Sequence, residues 1–182
     1  MRSMPAQARS APAPSAGRRK GSREIVVTGA HGGAGTTTLA ALLHTTWDMG
    51  VFRCPAGGPA IRTGGRPVVL VTRNTAAAAA RAIAAVNALD GHGCRIAVLA
   101  IVSDGSPEPP AAAYRFRVLA GRVGTVVRVP FIASLRAADD PAQAALPRKA
   151  RRSIADIETA AFAPAGVPAS QRQHESRWTC TS

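Results

Sequence analysis

The chain has 182 residues, 46% of them hydrophobic, and a formal net charge of +13 at pH 7. This length suffices for one buried core and leaves little room for a second domain. No apolar run approaches the roughly 20 residues that a membrane span requires, and three widely spaced cysteines favour neither a disulfide framework nor a zinc site. The composition therefore predicts a cytoplasmic, single-domain protein without a membrane span.

Both ends of the chain are predicted to be tails. Residues 1–22 are rich in Ala and Pro, carry a basic cluster at 18–20 and hold too little apolar surface to fold, so we expect a disordered basic tail. Residues 163–182 are expected to form a second, loose tail. Clustered cations can bind nucleic acid by releasing counterions, although nearly all of them here are Arg, as a GC-rich genome would produce without selection for binding. A basic adaptor that contacts nucleic acid through its tail is therefore one alternative function.

Residues 23–162 are predicted to form one α/β domain. Apolar, β-branched runs predict strands at residues 25–27, 68–72, 96–102 and 125–129. Helix-forming residues predict helices at 36–44, 76–89, 111–120 and 142–159, the last interrupted by Pro147. Gly and Pro break every pattern between residues 45 and 66, which predicts a long loop there. The alternation predicts a doubly wound, mostly parallel sheet with helices on both faces.

The most informative stretch is a glycine-rich turn between the first strand and the first helix. A phosphate site needs converging backbone N–H groups and glycines that let an anion approach, and residues 32–35 followed by three threonines supply both. The usual loop then adds a Lys for the phosphates and a Ser or Thr for Mg²⁺. Here Thr36 stands where the Lys belongs. Because ligands bind beyond the carboxyl ends of parallel strands, residues 72–74, Asp104 and Pro130 are expected near this turn.

The segment His31-Gly-Gly-Ala-Gly-Thr-Thr-Thr38 resembles the deviant Walker A loop of ParA/MinD-like partition ATPases, Lys-Gly-Gly-x-Gly-Lys-Thr-Thr. His31 falls on the signature lysine of that pattern and Thr36 on its phosphate lysine, and the order of the later strands is similar too. The resemblance implies a P-loop NTPase-like fold and a site for ATP or ADP, with Thr37 as the Mg²⁺ ligand. The nucleotide-binding residues that it implies are Gly32, Gly33, Gly35, Thr36, Thr37, Thr38, Asp104 and Pro130.

The chain departs from this family at the positions that matter for hydrolysis. Both lysines are missing, and Asp48, the one acid between the turn and residue 68, does not end an apolar run. Phosphoryl transfer depends on positioned cations, so we expect weak or absent nucleotide binding and no catalytic residue. The expected role is interaction or regulation, linked to plasmid or mobile-element functions, with an unidentified protein partner. A homodimer is compatible with the sequence.

Other interpretations of the same residues remain open at this point. Residues 28–35 also fit the Thr-Gly-x-x-x-Gly-x-Gly turn of NAD(P)-binding short-chain dehydrogenases, although the single tyrosine, Tyr114, is followed four residues on by Val118 instead of Lys. The turn could also simply close a strand–helix unit. Asp104 could accept a hydrogen bond from a base amino group or cap its own turn. The acids before Pro141 suit the start of a helix.

Overall fold

The computed structural model describes residues 24–43, 46–53 and 62–163. The predicted tail at residues 1–22, and all but the first residue of the predicted tail at 163–182, lie outside these ranges. Among the described helices, none has the length and apolar character needed to cross a bilayer.

Five parallel strands form one sheet in the order β2-β1-β3-β4-β5. They are β1 (Ile25–Gly29), β2 (Thr46–Val51), β3 (Val68–Arg73), β4 (Ile96–Val102) and β5 (Thr125–Val129). Four helices connect or follow them, namely α1 (Thr36–Leu42), α2 (Ala76–Gly91), α3 (Pro110–Ala120) and α4 (Arg148–Ala161). The predicted doubly wound α/β class is confirmed, and the sheet is entirely parallel in the described residues.

Helices cover the sheet on both faces, which explains why its central strands are continuous apolar runs. One core lies between the sheet and the helices α1 and α4, and it includes Leu39 and Ile157. A second core lies between the opposite face and α2 with α3, and it includes Leu89 and Phe116. Because α1 leaves β1 on one face and α2 leaves β3 on the other, the crevice between β1 and β3 is the topological switch point.

The predicted loop at residues 45–66 is wrong for its first part, because β2 occupies Thr46–Val51. This strand lies at the sheet edge and is mostly exposed, so it lacks the apolar run by which the other strands are recognised. It is held by parallel pairing with β1 and by the Thr46 hydroxyl, which donates to Ala40 O at 3.0 Å. A register shift opposite Val27 and Gly29 introduces a bulge. Residues 54–61 of the predicted loop lie outside the described ranges.

Part of β2 remains uncovered. The described portions of the connection to β3, residues 52–53 and 62–67, contain no helix, and Trp47, Met49 and Val51 stay 46%, 45% and 38% exposed. The guanidinium of Arg66 stacks over the Trp47 ring at 4.1 Å from its centroid, and Arg66 Nε donates to Glu24 at 2.6 Å. A cation thus shields the largest exposed ring of this edge.

The predicted helix at 142–159 also requires correction. The structure has 3₁₀ turns at Ala133–Arg136 and Pro141–Gln143, and α4 begins only at Arg148. Pro147 occupies the N-cap position because proline cannot continue a helix that starts before it. Asp140 caps the second 3₁₀ turn, because its Oδ1 accepts from Ala142 N at 2.9 Å. An acid before Pro141 thus has the helix-start role that the sequence indicated.

Candidate functional site

The glycine turn joins β1 to α1 over residues 30–35. Gly33 and Gly35 have φ values of +74° and +90°, a region that residues with a Cβ rarely adopt. The turn is anchored at its start, where Ala30 N donates to Val71 O at 2.8 Å. Within the part of the chain that the structure describes, no backbone carbonyl accepts from the N–H groups of Gly33, Gly35 or Thr37. These groups are therefore open to another acceptor.

Thr36, which the resemblance places at a lysine position, does not face outward. Its side chain is buried, with 7% of the residue exposed, and lies so close to Gly29 that a Cβ at that glycine would collide with Thr36 Oγ1. The residue therefore packs the turn against β1. Thr37, which the resemblance makes the Mg²⁺ ligand, is exposed instead.

His31 fills the switch point between β1 and β3. The residue is 8% exposed, and its Nδ1 lies 2.9 Å from Gly32 O. On the other side, Nε2 lies 3.4 Å from both Thr72 Oγ1 and the backbone N of Arg73. Since an amide N–H can only donate and a carbonyl can only accept, these contacts fit a neutral imidazole protonated on Nδ1. His31 thus links the glycine turn to the end of β3.

A cavity of about 320 Å³ lies beside the turn, over the carboxyl ends of β4 and β5. The glycine turn and α1 form one wall, and the segments after β4 and β5 form the other. Its polar, charged and aromatic lining consists of Thr38, Arg73, Ser103, Asp104, Phe131 and Arg136, together with Gly35 and Pro130. Of the sequence-predicted site residues, the structure brings Gly35, Thr38, Asp104 and Pro130 together around this cavity. Gly32, Gly33, Thr36 and Thr37 do not line it.

Two lining residues, Arg73 and Arg136, are not among the predicted nucleotide-binding residues, although Arg73 belongs to residues 72–74, which are expected near the turn. Arg73 ends β3 and is exposed, and the Arg136 guanidinium lies 5.0 Å from the centroid of the Phe131 ring. The sequence places Arg73 near the turn because it lies at the carboxyl end of a buried parallel strand, where ligands bind. Arg136 had no such signal, since a 3₁₀ turn brings it to the cavity. The cavity therefore has positive charge that the turn itself lacks.

The buried side chain of Asn74, a residue that is 5% exposed, anchors the loop that carries Asp104. Asn74 Oδ1 accepts from Asp104 N at 3.2 Å, and Asn74 Nδ2 donates to Ser106 O at 2.9 Å. Asp104 Oδ1 accepts from Ser106 N at 2.9 Å, so the predicted capping of its own turn is present as well. These contacts hold the loop and orient the carboxylate of Asp104, a residue that lines the cavity.

The residues present do not fit a Mg²⁺ site at the turn. Mg²⁺ in nucleotide sites is held by carboxylates together with phosphates, and Thr37 supplies only a hydroxyl. Asp48 lies opposite Val27 within β2, before the carboxyl end of that strand, and its Oδ1 accepts from Gly50 N at 2.8 Å. The described ranges contain no cluster of three or more His, Cys, Asp or Glu that could hold a metal ion.

A basic cluster stands apart from the cavity, at the start of α4. Arg148, Lys149, Arg151 and Arg152 are all exposed, and the first turn of this helix has neither an acid nor a capping side chain. Among the described residues, none of the four forms an ion pair. The Ser153 hydroxyl donates to Arg128 O at 3.0 Å, which holds this part of α4 beside the carboxyl half of β5.

Comparison of the chain with protein-family models, curated proteins and solved structures finds no match. Tyr114, the one tyrosine on which dehydrogenase chemistry could depend, lies 66% exposed on α3 and does not line the cavity. The function proposed below therefore rests on the cavity and the residues around it.

Proposed function

We propose that this protein is a degenerate, ParA/MinD-like P-loop protein that binds a nucleotide weakly and acts through interaction with a partner, without catalysis. The observation that carries the proposal is that one cavity is lined both by the glycine turn and by the loops after β4 and β5. Of the turn, Ala34 and Gly35 line this cavity, so the open N–H of Gly35 is available to a phosphate, while the loops offer a pocket for a base. Arg73 and Arg136 add the positive charge that a nucleotide requires.

The same geometry argues against phosphoryl transfer. A lysine on the phosphates supplies charge-assisted hydrogen bonds of about 1.5–3 kcal/mol each, and its loss lowers affinity by about one to two decades. The two arginines line the cavity, but Thr36 is packed against Gly29, and the described residues contain no cluster of ligands for a metal ion. Binding is therefore expected to be weak, and bound nucleotide is expected to leave the protein unhydrolysed.

Calorimetry with the full chain and millimolar ATP, ADP and GTP tests this proposal. Arg73→Ala and Arg136→Ala should each weaken binding by about tenfold, the loss expected for one charged hydrogen-bond donor. Arg81→Ala is the matched control, because Arg81 is exposed on α2 and does not line the cavity. The absence of binding heat with the unaltered protein would contradict the proposal, as would equal affinities for all four proteins.

The basic cluster on α4 favours a second candidate, a nucleic-acid-binding function. Cations in the first turn of a helix, here Arg148 and Lys149, oppose the helix dipole, so their position does not stabilise α4. A phosphate backbone would neutralise all four. Contacts of this kind are independent of base sequence and weaken steeply with salt.

The salt dependence of DNA and RNA binding tests the second candidate. Replacing Arg148, Lys149, Arg151 and Arg152 by Gln should reduce the slope of log affinity against log salt by about 3 to 4, since each phosphate contact contributes about 0.9. A variant lacking residues 1–22 separates the contribution of the tail. Absent binding, or a slope that the four substitutions leave unchanged, would exclude α4 as the interface.

A further inference from the structure

The cavity contains one carboxylate in a strongly basic protein. Among the described residues that line it, Asp104 is the single acid, and two arginines lie on the same cavity. An ion pair of Asp104 with either arginine would neutralise this acid, yet neither forms one within 4.0 Å in the described structure. Asp104 therefore lines the cavity with a carboxylate that neither arginine neutralises.

The position of this acceptor is fixed before any ligand arrives. Asn74 holds both ends of the loop, through Asp104 N and Ser106 O, and the Ser106 N–H orients the carboxylate. Oδ1 uses one of its lone pairs in that contact. A carboxylate has about four lone-pair positions, so Oδ2 and the second lone pair of Oδ1 remain for a ligand.

The wall next to Asp104 is flat and aromatic. Gly105, with φ +101°, lies against the Phe131 ring, where a Cβ would sit 3.5 Å from Phe131 Cγ. Arg136 lies over the same ring at 5.0 Å from its centroid. The guanidinium of Arg136 is itself planar and can stack on an aromatic ligand. A Cβ at Gly35 would lie 3.9 Å from the Val102 side chain, two residues before Asp104, and Gly35 and Asp104 line the same cavity.

We infer that the base selected by this cavity is guanine, with Asp104 as the specificity residue; this inference rests on the proposed nucleotide-binding function. A carboxylate only accepts hydrogen bonds, so it favours a base edge with two adjacent donors. Guanine has such an edge, in N1–H and the N2 amino group. Adenine and cytosine pair one amino group with a bare ring nitrogen, which the carboxylate repels, and uracil flanks its single N–H with carbonyls.

Competition binding with the full chain tests the inference. GDP should bind about 10- to 100-fold more tightly than ADP, the range expected for one additional charged hydrogen bond. Asp104→Asn keeps the size of the side chain and the acceptor for Ser106 N, but it places an amide donor opposite the guanine amino group. This variant should lose the preference for GDP and gain affinity for xanthosine diphosphate, whose carbonyl at C2 accepts from the new amide.

Asp139→Asn is the matched control, because Asp139 is exposed and does not line the cavity. It should keep the preference of the unaltered protein. Equal binding of GDP and ADP, or a preference that survives Asp104→Asn, would overturn the inference while leaving the proposed nucleotide-binding function intact. If neither nucleotide binds at all, both are overturned.

Discussion

His31 Nε2 lies 3.4 Å from the backbone nitrogen of Arg73, so a side chain from the glycine turn reaches across the switch point to the end of β3. In open parallel sheets this crevice is the usual place for a ligand. Here the protein fills it with its own imidazole. The space for a ligand therefore lies to one side, over β4 and β5, where Arg73 borders it.

Replacing His31 should loosen the glycine turn. In His31→Ala, the contacts to Gly32, Thr72 and Arg73 are lost and a buried space is left, so we expect a loss of about 1–3 kcal/mol in the free energy of unfolding. Urea denaturation measures this loss, and hydrogen exchange should show faster exchange at residues 30–35. Thr37→Ala, on an exposed residue of the same segment, should change stability by less than about 0.5 kcal/mol. Equal stability of the two variants would refute the role of His31.

The contact between Gly29 and Thr36 predicts a coupled pair of substitutions. Gly29→Ala should destabilise the protein by about 1–3 kcal/mol, because the new methyl group collides with Thr36 Oγ1 in a packed core. Thr36→Ala removes that atom, so the double variant should recover part of the loss in a double-mutant cycle. Gly32→Ala is the control, since nothing lies within 4 Å of a Cβ there. Strict additivity of the two substitutions would show that the contact is absent.

The proposed nucleotide binding should not depend on Mg²⁺. Thr37 supplies only a hydroxyl, and Asp48 is engaged by Gly50 N before the end of β2. Calorimetric titration with ADP in EDTA and in millimolar Mg²⁺ should therefore give similar affinities, and Asp48→Asn should behave like the unaltered protein. A large gain in affinity on adding Mg²⁺ would contradict the conclusion that the turn lacks a Mg²⁺ site.

Cys94 should react slowly with alkylating reagents. Burial, and secondly the charge of Asp90, raise the pKa of its thiol above the ordinary value of 9.0. A raised pKa lowers the thiolate fraction at every pH below it, so the alkylation rate at pH 8 should fall below that of a free cysteine. In a Cys54→Ser, Cys180→Ser background, Asp90→Asn should lower the pKa and speed the reaction, whereas Glu108→Gln should not. Identical pH profiles for all three proteins would contradict this assignment.

The strands and the site were predictable from the sequence to different degrees. The bounds of β4 and β5 match the prediction, because each is an apolar run that ends at a turn or a proline. The edge strand β2 was not predicted, because it is stabilised by pairing with β1 and is too exposed to need the apolar run that marks the other strands. Asp104 and Pro130 were predicted at the site from topology alone. The inward direction of the Thr36 side chain could not be predicted, because it depends on how closely the glycine turn approaches β1.

The uncovered edge of the sheet has a consequence for local unfolding. Because β2 buries little side-chain surface, it should open at a lower free energy than β3, β4 or β5, and its amides should be the least protected of the sheet against hydrogen exchange. Phe52 N donates to Gly29 O just where the glycine turn begins, so opening β2 would also release the end of β1. A ligand that binds the glycine turn would then oppose this opening. Protection of the β2 amides from hydrogen exchange would therefore report whether the cavity, on the other side of β1, is occupied.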